Sequence, residues 1–181
     1  MSLTTLDIKE PGLNILPPGV ERHVVNAGGL TGLQIFPDDE IEIINDEGNQ
    51  ICEIICFDKD GKSELAILNL KENSNKSFIK EILKKKDESS LATNFQLKKR
   101  NLDLNKSHSS ILFDEKTPSG EKIKLKSKDK CYVIFSAPQN DMLVSEQNPS
   151  GDLILFVKRA KITNDKELSI IPDPVFEPHY E

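Results

Sequence analysis

Cys52 and Cys56 stand four residues apart. That spacing puts two thiols on one face of a helix, but about 13 Å apart along a strand. Residues 50–57 read as a strand, so the pair can share neither a disulfide nor a zinc ion, and both thiols point inward beside Ile54 as structural groups. Cys131 makes an odd total without framework spacing, which fits a reducing cytoplasm. His23, His108 and His179 are scattered. His108, in the small polar loop Lys106-Ser107-His108-Ser109-Ser110, is open either to solvent or to a ligand. The glycines of residues 27–32 invite a phosphate-loop reading, but no Lys-Ser/Thr follows and no buried parallel strand precedes, so the segment reads as a flexible turn. Asp58-Lys59-Asp60-Gly61 has its glycine too early for a calcium loop and lacks the closing glutamate, which leaves a hairpin turn. No serine lies in a nucleophile elbow.

The elements that must position these groups read as mostly strand. Residues 37–60 organise the chain. Glu40-Ile41-Glu42-Ile43 alternates acid and apolar with period 2, Asn45-Asp46-Glu47-Gly48 is a tight turn, and residues 50–57 return as a more buried strand, so the segment is expected to be a hairpin. Ahead of it, residues 4–22 carry enough Pro and Gly to suggest an extended arm, followed by short strands near 21–26 and 33–36. Residues 63–70 read as a strand or an irregular link. Residues 77–86 are the one good helix candidate, with Phe78, Ile79, Ile82 and Leu83 at helical spacing, and residues 87–90 are expected to stop it. Phe95 with Leu97, and Leu102 with Leu104, suggest two brief strands, and 111–113 another. Residues 121–128 form an exposed strand. CYVIFS (131–136) is a continuous apolar run, hence a central strand buried on both faces, and DLILFVKR (152–159) is a second central strand. The expected fold is all-β, a barrel-like or sandwich arrangement of about ten short strands with one short helix. The organisation is an extended arm over 1–20, a β-rich domain over 21–163 and a Pro-rich tail or linker over 164–181.

The net charge of −6 argues against bulk affinity for nucleic acid, and no apolar run approaches the length of a membrane span. No secretory signal opens the chain. Charge is nonetheless uneven: residues 76–130 carry net +7 and the remainder −13. With only Phe78, Phe95 and Phe113 interleaved, the basic segment lacks the stacking platform of a nucleic-acid binder. It reads as a lysine-protected edge, or as a face that docks on an acidic surface, a second domain of the same chain or a homodimer partner.

The run Gly48-Asn49-Gln50-Ile51-Cys52-Glu53-Ile54-Ile55-Cys56-Phe57-Asp58 resembles the signature of the urea-carboxylase-associated protein family. There, Gly-x-Gln is followed by an acid three residues after the Gln and then an aromatic. Pro17-Pro18-Gly19, Ala27-Gly28 and Asp38-Asp39-Glu40 fit the family's opening, and Val133 to Asp141 is similar to its late strand and turn. The resemblance implies a polar site built from Gln50, Glu53, His108, Asn140 and Asp141. Gln50 and Glu53 are an odd number of residues apart, so a bulge must intervene if both serve one site. The family pattern implies His, Asp and Cys metal ligands in the middle section. Here that section offers only His108, Ala137 stands at an expected Cys and Glu53 replaces Asp, so no metal is expected.

Domains of this kind are also found ahead of folate-dependent aminomethyltransferases resembling the glycine-cleavage T-protein. The resemblance therefore implies a cytoplasmic N-terminal accessory domain, non-catalytic by itself. Tetrahydrofolate and a small amine or one-carbon substrate would then belong to a C-terminal catalytic domain of the same chain, reached through the Pro-rich exit. The alternative is a stand-alone small-molecule-binding protein or enzyme of urea or amine metabolism using the polar site above.

Overall fold

The computed structural model describes residues 16–74, 77–139 and 151–161. Eight strands form two antiparallel sheets. The first sheet has the order β1 (Val20–Val25), β8 (Leu153–Lys158), β3 (Glu40–Asn45), β6 (Glu121–Lys126); the second has β2 (Leu30–Ile35), β7 (Cys131–Ser136), β4 (Cys52–Asp58), β5 (Ser109–Phe113). Ile41 and Ile43 of the first sheet, with Leu153, Leu155 and Val157, face Cys52, Ile54, Cys56, Val133 and Phe135 of the second in one apolar core. This is the sandwich-like, all-β architecture that the strand pattern implies, with a small helical part.

That helical part covers the outer face of the second sheet. Ile79, Ile82 and Leu83 of α1 (Phe78–Leu83) and Leu97 of α2 (Glu88–Lys99) pack on Ile55, Phe57, Tyr132 and Ile134. β4 and β7 lie between the other sheet and this helical layer, which is why both read as continuous apolar runs instead of alternating ones. β8 is central to its sheet but alternates, with Leu153, Leu155 and Val157 buried and Ile154 and Phe156 half-buried.

Three local expectations are corrected. First, residues 37–60 are not a hairpin: β3 pairs with β6 and β8, whereas β4 pairs with β5 and β7. The turn carries the chain from one sheet across to the other. Each strand's alternation encodes which face is dry but not which strand it pairs with, so the two arrangements look alike in sequence. Second, residues 87–90 start a helix. The Asp87 carboxylate accepts the Ser90 N–H at 2.9 Å, capping α2. Burial is reversed on α2, with Ser90, Thr93 and Leu97 turned inward while Leu91 and Phe95 are exposed. With no apolar stripe at helical period, Phe95 and Leu97 mimic a strand. Third, residues 104–106 form a single 3-10 turn in place of a strand, while 65–68 form another, which takes the irregular-link alternative for residues 63–70, so the described residues hold eight strands and two α-helices.

Beyond the sandwich's β8, Arg159 ties the end of the fold to its beginning. Its guanidinium donates to Glu21 from Nε at 3.0 Å and Nη2 at 3.1 Å, and from Nη1 to Asp39 at 2.7 Å and to the Gln34 carbonyl at 2.9 Å. The Asp39 carboxylate also accepts the backbone N–H groups of Phe36 and Ala160. Planar, multiply bonded pairing of this kind is what an arginine supplies and a lysine does not.

Candidate functional site

Two of the segments that carry the sequence resemblance, the Ala27-Gly28 turn and the start of β4, meet at the end of the sandwich where β7 exits, whereas Gly19 and Asp38 to Glu40 lie at the opposite end, beside Lys158 and Arg159. The Gly28 N–H donates to the Ala137 carbonyl at 2.6 Å, the Ala137 N–H returns to Gly29 at 3.1 Å, and Ala27 N–H reaches the Asp152 carboxylate at 2.8 Å. With the Gly29 N–H donating to the Asn26 carbonyl at 2.8 Å, the amides of residues 27–29 are all committed within the protein, which is how the segment acts as a turn and not as a phosphate cradle.

Gln50 lies fully buried beside this turn. Its amide nitrogen donates to the carbonyls of Pro138 (2.8 Å) and Ile51 (2.9 Å), and its oxygen accepts the Gly151 N–H at 2.8 Å. One side chain therefore joins the residue leaving β7 to the residue entering β8. The Gln50 carbonyl in turn accepts from the Asn45 amide at 2.8 Å. Gln50 satisfies its own hydrogen-bonding capacity on the backbone, the usual state of a buried structural amide.

Glu53 is also fully buried. The β4–β5 ladder shifts register here, but Cys52 pairs with Phe113 and Glu53 with Ile111, so the extra residue, Leu112, lies on β5 and the side chains of β4 alternate regularly. The bulge that one shared site would require is not found between Gln50 and Glu53: Glu53 faces the helical layer and accepts the Ile79 N–H at 3.0 Å, with further hydrogen bonds from the Phe78 N–H and the Ser77 and Ser109 hydroxyls. Burial raises the Glu53 carboxyl above its ordinary range, and these hydrogen bonds only partly offset it. Its other oxygen, Oε1, is buried without a partner, as is the Ser136 hydroxyl. Ser136 is the residue opposite Glu53 on β7, and directly opposed residues share a sheet face.

His108 does not join this group. Its ring Nδ1 is 3.0 Å from Glu72 Oε2, and both side chains are at least half exposed. The neighbouring residue Ser109 turns inward to Glu53, and strand alternation sends His108 outward. Asn140, Asp141 and His179 lie outside the described residues. Cys52 and Cys56 point into the inter-sheet core with Ile54. A hydrogen bond with Cys131, together with burial, pushes the Cys56 thiol up, so it stays protonated. Among the described residues no three His, Cys, Asp or Glu side chains gather where they could hold a metal ion. The donors among the described residues do not fit the metal that the family pattern implies. Two contributors were missed from sequence: Ser136 and Ser109 carry no spacing signal, because pairing across strands is what sets them beside Glu53.

The sign of the Glu53 shift gives a prediction. A carboxyl whose folded pKa is raised favours the folded state most below its unfolded pKa, and that advantage is lost as pH rises through the folded pKa. Glu53→Gln keeps an acceptor for the Ile79 N–H and carries no charge. It is expected to be more stable than the wild type at pH 7.5 by about 1 kcal/mol, with the gap closing by pH 4. Urea unfolding at the two pH values measures this, and a variant less stable than wild type at pH 7.5 contradicts it.

The fold and this end together define a small β-sandwich domain with a helical cover, whose motif residues bond chiefly to their own backbone. A trimethylamine-oxide aldolase of Ruegeria pomeroyi is 30% identical to it over 171 residues, which is 94% of this chain and 22% of the aldolase. The chain is therefore homologous to a part of that larger protein and spans about a fifth of its length. No family model and no solved structure matches. No helix among the described residues is long and apolar enough to cross a membrane.

Proposed function

We propose that this chain is an accessory domain, non-catalytic by itself, of a larger amine-handling enzyme. At finer grain, it is an N-terminal domain of the urea-carboxylase-associated kind, attached to a folate-dependent aminomethyltransferase part resembling the glycine-cleavage T-protein. Tetrahydrofolate and the small amine or one-carbon substrate would be held by that other part. The observation that carries the reading is where the polar atoms go. Gln50 joins the ends of β7 and β8, Glu53 fastens α1 to β4, and His108 sits in an exposed pair elsewhere. Catalytic acids and bases need convergent, accessible geometry, which these three do not share. The similarity to one-fifth of an aldolase acting in amine chemistry supports the attachment to a larger enzyme.

Reading the natural gene past the codon for Glu181 tests it. The frame is expected to continue into a catalytic portion, and a stop codon at that point contradicts the proposal. A second reading, a small-molecule site at this end of the sandwich, draws on two buried atoms of cross-strand neighbours that have no hydrogen-bond partner, Glu53 Oε1 and Ser136 Oγ. It requires Glu53 to touch substrate, and loss of turnover on removing its charge would favour it.

A further inference from the structure

The outward face of α2 is built the wrong way round for a solvated helix. Leu91 is 57% exposed and Phe95 63%, the two large apolar side chains most open to solvent among the described residues, while Ser90 and Thr93 are buried beneath them. They lie four residues apart, so they stand one above the other on one face, the spacing by which a helix presents anchors to a groove. The helix holding them is fixed. Asp87 caps it, the Ser90 hydroxyl donates to the Ile82 carbonyl at 2.8 Å, and Leu97 packs in the layer over β4 and β7. The two side chains are thus displayed on a rigid support, which lowers the ordering cost of docking.

Charge decides what they dock against. Lys84, Lys85 and Lys86 precede the helix, and Lys98, Lys99 and Arg100 close it. With Asp87 and Glu88 the stretch 84–100 carries net +4. Arg100 is turned inward, stacking on Tyr132 and donating to Gln34, which leaves net +3 toward solvent, so two copies meeting face to face would set like charge against like charge, which disfavours a symmetric dimer through α2. An apolar groove rimmed by carboxylates is complementary in both respects. The homologous aldolase extends far beyond the region this chain spans.

We propose that Leu91 and Phe95 seat in a carboxylate-rimmed apolar groove on the portion of the natural protein lying beyond these 181 residues. This rests on the accessory-domain reading and specifies the face that reading leaves open. A photo-crosslinking amino acid placed at position 95 of the full natural chain tests it, with the same probe at Lys124, on the exposed side of β6 in the opposite sheet, as the comparison. The expected result is an intramolecular crosslink from position 95 to a segment outside 1–181 flanked by Asp and Glu. Leu91→Glu in the same chain should lower its yield about tenfold or more. In residues 1–181 alone, Leu91→Glu should move the Tm by no more than about 2 °C, because the side chain is exposed there. A crosslink to a second copy overturns the proposal. Crosslinking from position 124 but not from 95 overturns the docking face and leaves the accessory reading intact. Crosslinking to the remainder from neither position overturns both.

Discussion

Arg159→Ala is expected to lower the unfolding free energy by about 3–5 kcal/mol, the usual consequence of removing one partner from a buried ion pair. In a chain of this length that corresponds to a fall in Tm of roughly 6–20 °C. Asp39 is the reason the effect is large. Its side chain is 2% exposed and that of Arg159 4%, so deleting the guanidinium strands a charge that water barely reaches. Glu21, the other partner, is 23% exposed and regains solvent more easily, so its share is small. The two backbone donors to Asp39, from Phe36 and Ala160, remain and hold it in place as a charge without a counter-ion. Replacing both partners by neutral groups, Asp39→Asn with Arg159→Met, should recover much of the loss, since the desolvation cost disappears with the charges.

The same cluster has a pH signature. Burial raises the Glu21 carboxyl, but hydrogen bonds from His23 and Arg159 outweigh it and hold the group below its usual 4.5. A depressed folded pKa contributes stability above the unfolded value that is lost as pH falls through the folded one. The gap between wild type and Arg159→Ala should therefore narrow in acid. Urea unfolding at neutral and acid pH measures both statements. A loss under 1 kcal/mol at neutral pH, or a gap that widens in acid, contradicts them.

Gly48→Ala is expected to cost about 2–4 kcal/mol, from two separate penalties. The residue sits at φ +79°, where a Cβ is strained. An added Cβ would also lie 2.6 Å from the Ser119 nitrogen and 3.0 Å from its Cα. Both are backbone atoms, so no side chain can swing aside. The obstacle is itself held in place, with the Ser119 hydroxyl donating to the Asp46 carbonyl at 2.6 Å and the Gly120 N–H to Asn45 at 2.8 Å. Gly120→Ala separates the two penalties. It has φ +80° but nothing within 4 Å of an added Cβ, so it should cost only the strain, about 1–2 kcal/mol. Equal losses for the two substitutions would show that the clash at Gly48 relaxes freely.

Much of this architecture was legible from residue pattern. CYVIFS is buried on both faces because it runs between a sheet and a helical cover, and an apolar run without alternation reports that sandwiching directly. The period-2 runs at 40–43 and 121–126 likewise declare their dry faces. What the pattern hides is partnership. Residues 37–60 look like a hairpin because a turn that crosses between sheets uses the same Asn, Asp and Gly as one that doubles back. Helix α2 hides for the opposite reason, since its apolar residues face outward and its small polar ones inward.

The site was legible in composition but not in geometry. Gln50 and Glu53 are where the resemblance points, and both are buried at one end of the sandwich. Their side chains part company because they are an odd number of residues apart and the one register shift is on β5, so one goes toward the ends of β7 and β8 and the other under α1. His108 is adjacent to Ser109 in sequence yet on the other side of the strand from Glu53, a separation that only pairing and alternation fix.

The central claim is that Glu53 holds α1 on the sheet and does no chemistry. Steady-state turnover by the full natural chain of the small amine or one-carbon substrate proposed above, with and without Glu53→Gln, tests it most directly. A carboxylate acting as general acid or base is worth typically 10²–10⁴ in rate, whereas a structural carboxylate replaced by its amide leaves turnover within about threefold. The account predicts the small change, together with the gain in stability at neutral pH. A fall of about a hundredfold or more in kcat, in a variant that remains folded, would contradict it.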